Sequence, residues 1–221
     1  MKAVRVPALL RRRGRPGMLM LTAVACLTGM GAGLGASVPA SAEPRHASLI
    51  IDANTGATLH ATAADDLRHP ASLTKMMTLY LAFETIEQGR LPYSSKLKVS
   101  QEAASAAPSK LELEPGEEIT LGDAMKALVT KSANDMAVAI AERIGGTEAS
   151  FARLMTAKAR QLGMTKTVFR NASGLPDPDQ VTTARDMITL ALHLQDDFPR
   201  HYGLFSLKSF TYNGSSYRNH N

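Results

Sequence analysis

The chain has 221 residues, of which 44% are hydrophobic and 20% charged. These are ordinary values for a globular protein, and they exclude a polytopic membrane protein, a collagenous chain and a fully disordered one. The formal charge of +5 points at first to nucleic acid, but residues 1–42 hold six Lys and Arg and no acid, leaving 19 Lys+Arg against 20 Asp+Glu in residues 43–221, with no excess to attract a polyanion.

The N-terminal stretch sets Lys2, Arg5, Arg11, Arg12, Arg13 and Arg15 ahead of an apolar run from Met18 to about Met30. Small residues follow, ending in Ala40-Ser41-Ala42. This layout predicts a signal peptide over residues 1–42, cut before Glu43, and export to the periplasm or cell envelope. An uncleaved anchor, a twin-arginine signal and lipidation at Cys26 are weaker fits. Cys26 is the only cysteine, so no internal disulfide forms and thiolate-rich metal sites are excluded. Cleavage would leave a mature chain with no thiol.

Residues 43–221 read as one domain segment without repeats. Ala47–Ile51 and Ala57–Ala61 lean to strand, and Asn54-Thr55-Gly56 between them predicts a hairpin. Pro70 and Gly89 bracket a helix over Ser72–Gln88, with Leu73, Met76, Met77, Tyr80, Leu81 and Phe83 covering most of its surface, so it is expected to be buried. Residues 90–120 read as loops and short strands, with Lys96–Val99 alternating and a turn at Glu114–Glu117. Thr120 and Asp123 form a capping box for the next helix. Further helices are expected over Ala133–Ile144 and Glu148–Leu162, the latter with Phe151, Leu154, Met155 and Leu162 inward. Asn171–Pro178 is a long turn. Thr183 caps a helix with Met187, Leu190, Ala191 and Leu194 inward. Phe205–Tyr212 reads as a strand and Asn213-Gly214 as a hairpin turn. The order of elements predicts an α+β fold with helices packed on an antiparallel sheet. The partner of the Phe205–Tyr212 strand is expected beyond Asn221, so the chain reads as truncated at its C-terminus.

Ser72-Leu-Thr-Lys75 sets a hydroxyl and an amine one helical turn apart on one face. A serine needs a base to become a nucleophile, and a neutral lysine can be that base. Neutrality near pH 7 requires a depression from about 10.4 that is worth roughly 4–5 kcal/mol, which burial or a nearby cation can supply. Equally, Ser72 could simply cap a helix. Ser95-Lys-Leu-Lys98 repeats the spacing in polar surroundings with no apolar helix after it, and is set aside. Lys131-Ser132-Ala133-Asn134-Asp135 offers a second hydroxyl and an amide at a helix start. Ser132 could relay a proton and Asn134 hold a substrate carbonyl, although Ser132-x-x-Asp135 also reads as a capping box. The six histidines show no paired helical spacing, so no metal site is expected.

Ser72-x-x-Lys75 and Ser132-Ala-Asn134 together resemble the active site of penicillin-recognising serine enzymes. The flanking segments Pro70–Thr78, Lys131–Glu142, Phe169–Leu175 and Thr183–Asp186 resemble those of the D-alanyl-D-alanine carboxypeptidases, peptidase family S11, and the likeness runs from about Ala47 to Asn221. It implies a β-lactamase/DD-transpeptidase-like fold and no cofactor. It implies Ser72 as the acyl-ester nucleophile, Lys75 as its proton acceptor, Ser132 as a further catalytic group and Asn134 as a substrate contact. It also implies the peptidoglycan stem peptide as substrate and β-lactams as covalent inhibitors of Ser72. The family's third motif, Lys-Thr-Gly, does not occur. Lys166-Thr167-Val168 lacks the glycine and precedes the Asn171–Leu175 segment. The motif, and any membrane-contacting C-terminal part, are expected beyond Asn221, which puts the activity of this chain by itself in question. A class A β-lactamase would need a Glu-x-x-x-Asn after the second motif, and none occurs. Tyr217-Arg-Asn219 matches a class C pattern by chance placement. An inactive penicillin-binding relic is the non-enzymatic alternative.

Overall fold

The structure is a computed structural model that describes residues 46–219. The expected signal peptide and cleavage site lie outside the described residues.

Helix α4 (Asn134–Gly145) is the axis on which the core is built. Eight consecutive residues, Asn134 to Ala141, are buried, which requires neighbours on every side. Ala137, Ala139 and Ala141 keep its girth small. Helix α1 (Thr74–Glu87), α2 (Gln101–Ser105), α3 (Leu121–Lys131) and α5 (Glu148–Gln161) pack against it. At Gly145 an added Cβ would meet the backbone of Phe151 at 2.8 Å, so only glycine lets α4 and α5 close on each other there. Met77, Phe83, Met125, Met136, Ile140, Phe151 and Met155 fill the space between the helices and are fully buried.

Helix starts follow the threonines. Thr120, Thr147 and Thr183 each accept a hydrogen bond from the backbone N–H three residues on, starting α3, α5 and α6 (Ala184–Asp197). Such a cap is worth about 1 kcal/mol. Ser100 does the same for α2, a helix that sequence reading left among the loops.

The strands are antiparallel, as expected, and form three separate two-stranded ribbons among the described residues. β1 (Ser48–Ile51) pairs with β2 (Thr58–Thr62), with a register shift between Ile50 and Ile51. β3 (Lys96–Lys98) pairs with β4 (Glu118–Thr120), placing Leu97 opposite Ile119, both fully buried. β5 (Ser209–Tyr212) pairs with β6 (Ser215–Arg218), with Phe210 opposite Tyr217.

Five expectations need correction. The last strand begins at Ser209, because Phe205 lies in a 3₁₀ turn, Gly203–Ser206, which follows a short helix α7 (Pro199–Tyr202). Its partner is β6, within the chain. Leu73 is 53% exposed and Leu154 46% exposed. Leu73 belongs to a 3₁₀ turn, Ala71–Leu73, and α1 proper starts at Thr74, so it falls off the buried face. In α5, Ala152 and Ala159 are buried with Phe151 and Met155, and these face the core in place of Leu154. Finally, Ser132 is not the N-cap of α4. It ends α3 in the left-handed conformation at φ +56°, and Ala133 precedes α4 without a side-chain cap.

Candidate active site

The Ala71–Leu73 turn raises Ser72 at the mouth of α1, where its side chain is solvent-accessible. Ala71 has a positive φ of 46°, a conformation that favours glycine and is held here by its surroundings. Gly174 supplies part of that hold. Its φ is +87°, and a Cβ on it would stand 1.8 Å from the Ala71 carbonyl oxygen.

One turn into α1, Lys75 is only 4% exposed. Its Nζ donates to Asn134 Oδ1 at 2.7 Å and to the Ser173 carbonyl at 2.5 Å. Both partners are neutral oxygens, so nothing offsets the loss of water with a full opposite charge. Burial pulls the lysine down to about 8 from its ordinary 10.5, the direction expected for a desolvated ammonium.

Ser132 reaches the same place from α3. Its left-handed backbone turns the side chain back so that Ser132 Oγ lies 3.2 Å from Ser72 Oγ. Asp135, which could have capped α4 with Ser132, is used elsewhere. Its buried carboxylate accepts from the backbone N–H groups of Leu111, Glu112 and Met136. Burial raises its pKa.

Asn134 is 6% exposed and joins three segments. Its Oδ1 takes the Lys75 ammonium, its Nδ2 donates to the carbonyls of Ala107 and Pro108, and its backbone N–H donates to Ser109 O. The 107–109 loop thus becomes one wall of a cleft of about 280 Å³ between Ser72, Ser132, Asn134 and Gly174. On the other side of Ser72 lies an apolar groove of about 700 Å³ that includes Leu73, Met76, Leu128 and Phe205.

The four residues singled out from sequence, Ser72, Lys75, Ser132 and Asn134, therefore meet in one place. Ser173 was missed. It contributes through its backbone carbonyl, which its residue type does not advertise. The available signal was the turn itself. Asn171 Oδ1 accepts from Gly174 N–H at 2.7 Å and Asn171 Nδ2 donates to Leu175 O, while Thr78 of α1 donates to Ala172 O. The three look-alike motifs are engaged in other contacts or exposed. Lys96 and Lys98 are exposed on β3. Thr167 is buried against Thr182 and Asp186, and Lys166 Nζ donates to Asp65 O. Tyr217 sits with its ring centroid 4.6 Å from the Lys131 ammonium.

A nucleophile-sized hydroxyl beside a second hydroxyl, with a buried amine one helical turn away, is the constellation of a serine acylating enzyme. The peptidase S11 family model, D-alanyl-D-alanine carboxypeptidase, matches residues 36–221. The chain belongs to this family. Among the relatives of this S11 chain is the D-alanyl-D-alanine carboxypeptidase DacF of Bacillus subtilis, 37% identical over 147 residues, which are 66% of this chain and 38% of the relative. Penicillin-binding protein 5 of Haemophilus influenzae superposes with a TM-score of 0.75 at 33% identity, covering 78% of this chain and 51% of that one. Penicillin-binding protein D2 of Listeria monocytogenes, solved in an ampicillin-bound form, superposes at 0.66 and 27% identity, over 78% of this chain and 70% of that one. The chain spans less than half the length of the first curated relatives it matches. The α+β, β-lactamase/DD-transpeptidase-like fold expected from sequence is the fold found.

Proposed function

We propose that this S11 chain carries the acylating site of a serine-type D-Ala-D-Ala carboxypeptidase. The observation that carries the reading is the meeting of Ser72 and Ser132 hydroxyls at 3.2 Å beside a Lys75 buried on neutral oxygens. Ser72 Oγ attacks the carbonyl carbon of the penultimate D-alanine of a peptidoglycan stem peptide. Lys75, neutral in the fraction that burial provides, accepts the hydroxyl proton. The Ser72 ester forms as the peptide C–N bond breaks, and the terminal D-alanine leaves with a proton passed through Ser132. Water then cleaves the ester and restores Ser72. Among the described residues Lys75 Nζ donates to neither the Ser72 nor the Ser132 hydroxyl, and that contact is one that substrate binding tightens. Asn134 holds the Lys75 amine and the 107–109 wall against which the peptide lies.

A β-lactam presents a strained amide to the same hydroxyl and acylates Ser72. The layout of residues 1–42 supports export, with cleavage before Glu43 placing the enzyme next to the cell wall.

The test is release of D-alanine from a diacylated L-Lys-D-Ala-D-Ala tripeptide by the whole chain. Release that disappears in Ser72→Ala and in Lys75→Met supports the reading. Absence of release from the folded chain, or release that survives Ser72→Ala, rejects it.

A further inference from the structure

On α5, Arg153 and Arg160 are seven residues apart. They therefore share one face and stand about 10 Å apart along the axis. The segment 168–170 runs beside that face. Thr156 joins the two, accepting from Phe169 N–H at 2.9 Å and donating to Phe169 O at 3.2 Å. Between helix and segment lies a groove of about 500 Å³. It is hollow because Ala149, Ala152 and Ala157 offer only methyl groups to it. Arg153, Arg160 and Arg170 line it, all exposed.

Among the described residues, Arg170 alone of these three guanidiniums has a carboxylate partner. Arg153 donates to the Ser150 hydroxyl, and Arg160 to the Met164 carbonyl. Arg170 has one carboxylate, Asp179, at 3.6 Å, and that carboxylate is 71% exposed. By contrast, Arg185 lies 2.7 Å from Asp65, Arg200 2.7 Å from Glu87 and Arg68 3.2 Å from Asp66. Residues 43–221 are close to charge balance, yet here three cations line one hollow and, among the described residues, only Arg170 is ion-paired, to the exposed Asp179.

We propose that this groove binds a linear, phosphate-bearing polyanion. Arg153 is held towards Ser150 and Arg160 towards Met164, so the two forks point apart along the helix and suit successive charges on a chain. The guanidinium plane matches paired phosphate oxygens. A concave floor suits a chain lying in it, and none of the lining residues is an exposed large apolar side chain of the kind that enters a bilayer. The site is separate from Ser72 and its proposal does not depend on any catalytic activity.

The experiment is calorimetric titration of the whole chain with short-chain polyphosphate, with inorganic phosphate, and with vesicles of phosphatidylglycerol, at low and physiological salt. The expected result is binding of polyphosphate that weakens with salt. It should fall about two- to fivefold in each of Arg153→Gln, Arg160→Gln and Arg170→Gln, and be lost in the triple variant. Arg143→Gln, an exposed arginine on α4 outside the groove, should leave it unchanged, and all variants should melt as the parent does. No polyphosphate binding, or an equal loss in Arg143→Gln, would overturn the proposal. Equal affinity for inorganic phosphate would make the site a single-anion site and overturn the chain reading. Vesicle binding without polyphosphate binding would replace it with a membrane surface.

Discussion

Gly174 occupies a position that no side chain can take, because its α-carbon faces the carbonyl oxygen of Ala71 so closely that a Cβ would stand 1.8 Å from it. Ala71 immediately precedes Ser72, and the neighbouring Ser173 carbonyl holds Lys75. One backbone contact thus sets two functional groups. Gly174→Ala meets both this clash and a φ of +87°, and strain of that type costs about 1–3 kcal/mol before any relaxation. We expect a melting temperature lowered accordingly and acylation of Ser72 slowed more than tenfold, read by differential scanning calorimetry and a penicillin-labelling time course. Gly163, with φ +87° but nothing within 4 Å, is the control, since Gly163→Ala should lose stability without losing labelling.

The buried Lys75 makes a prediction about pH. Its folded pKa is about 8 against 10.5 ordinarily, so the unfolded chain holds this proton more tightly than the folded one. Between those two values stability must rise with pH, and below about 8 the penalty is constant. The full span is on the order of 3 kcal/mol. Urea midpoints measured across this range should rise in the wild type relative to Lys75→Met. Acylation should rise through the same pKa as the amine loses its proton. Parallel stability curves for the two proteins would contradict the burial argument.

Asp135 links the helix that carries Asn134 to the loop opposite. Its Oδ2 accepts from Leu111 and Glu112 N–H and its Oδ1 from Met136 N–H. Asp135→Ala orphans these donors, two of them on the 111–112 segment that follows the cleft wall, at about 1–3 kcal/mol for each buried group left unpaired. Asp135→Asn keeps an acceptor for part of the set and should cost less than alanine. Chemical denaturation of both variants checks the order, and alanine costing no more than asparagine would refute it.

The legibility of this molecule divides by the range of the interactions. Elements set by neighbours in sequence could be read directly. Thr120 and Thr183 announced their helices because a threonine oxygen and an N–H three residues on make the cap between themselves. Asn54-Thr55-Gly56 and Asn213-Gly214 marked their hairpins for the same reason. Ser132 could not be read this way. The local pattern Ser-x-x-Asp favours a capping box, but Asp135 is drawn to backbone donors more than twenty residues away, and Ser132 is left to end α3 instead. Leu154 is more hydrophobic than the alanines beside it, but the close α4–α5 contact at Gly145 favours alanines on the buried face. The side chains that meet at the candidate site, Ser72, Lys75, Ser132 and Asn134, could be named in advance, while the Ser173 carbonyl and the Ala71–Gly174 contact are backbone features without a residue signature.

The central claim is that Ser72 is an acylating nucleophile. The most direct measurement is the intact mass of the whole chain after incubation with a penicillin, followed by peptide mapping. The account predicts one added penicillin, located on Ser72, and none in a Ser72→Ala variant that melts at the same temperature. A folded chain that gains no mass, or an adduct that persists in Ser72→Ala, would contradict it.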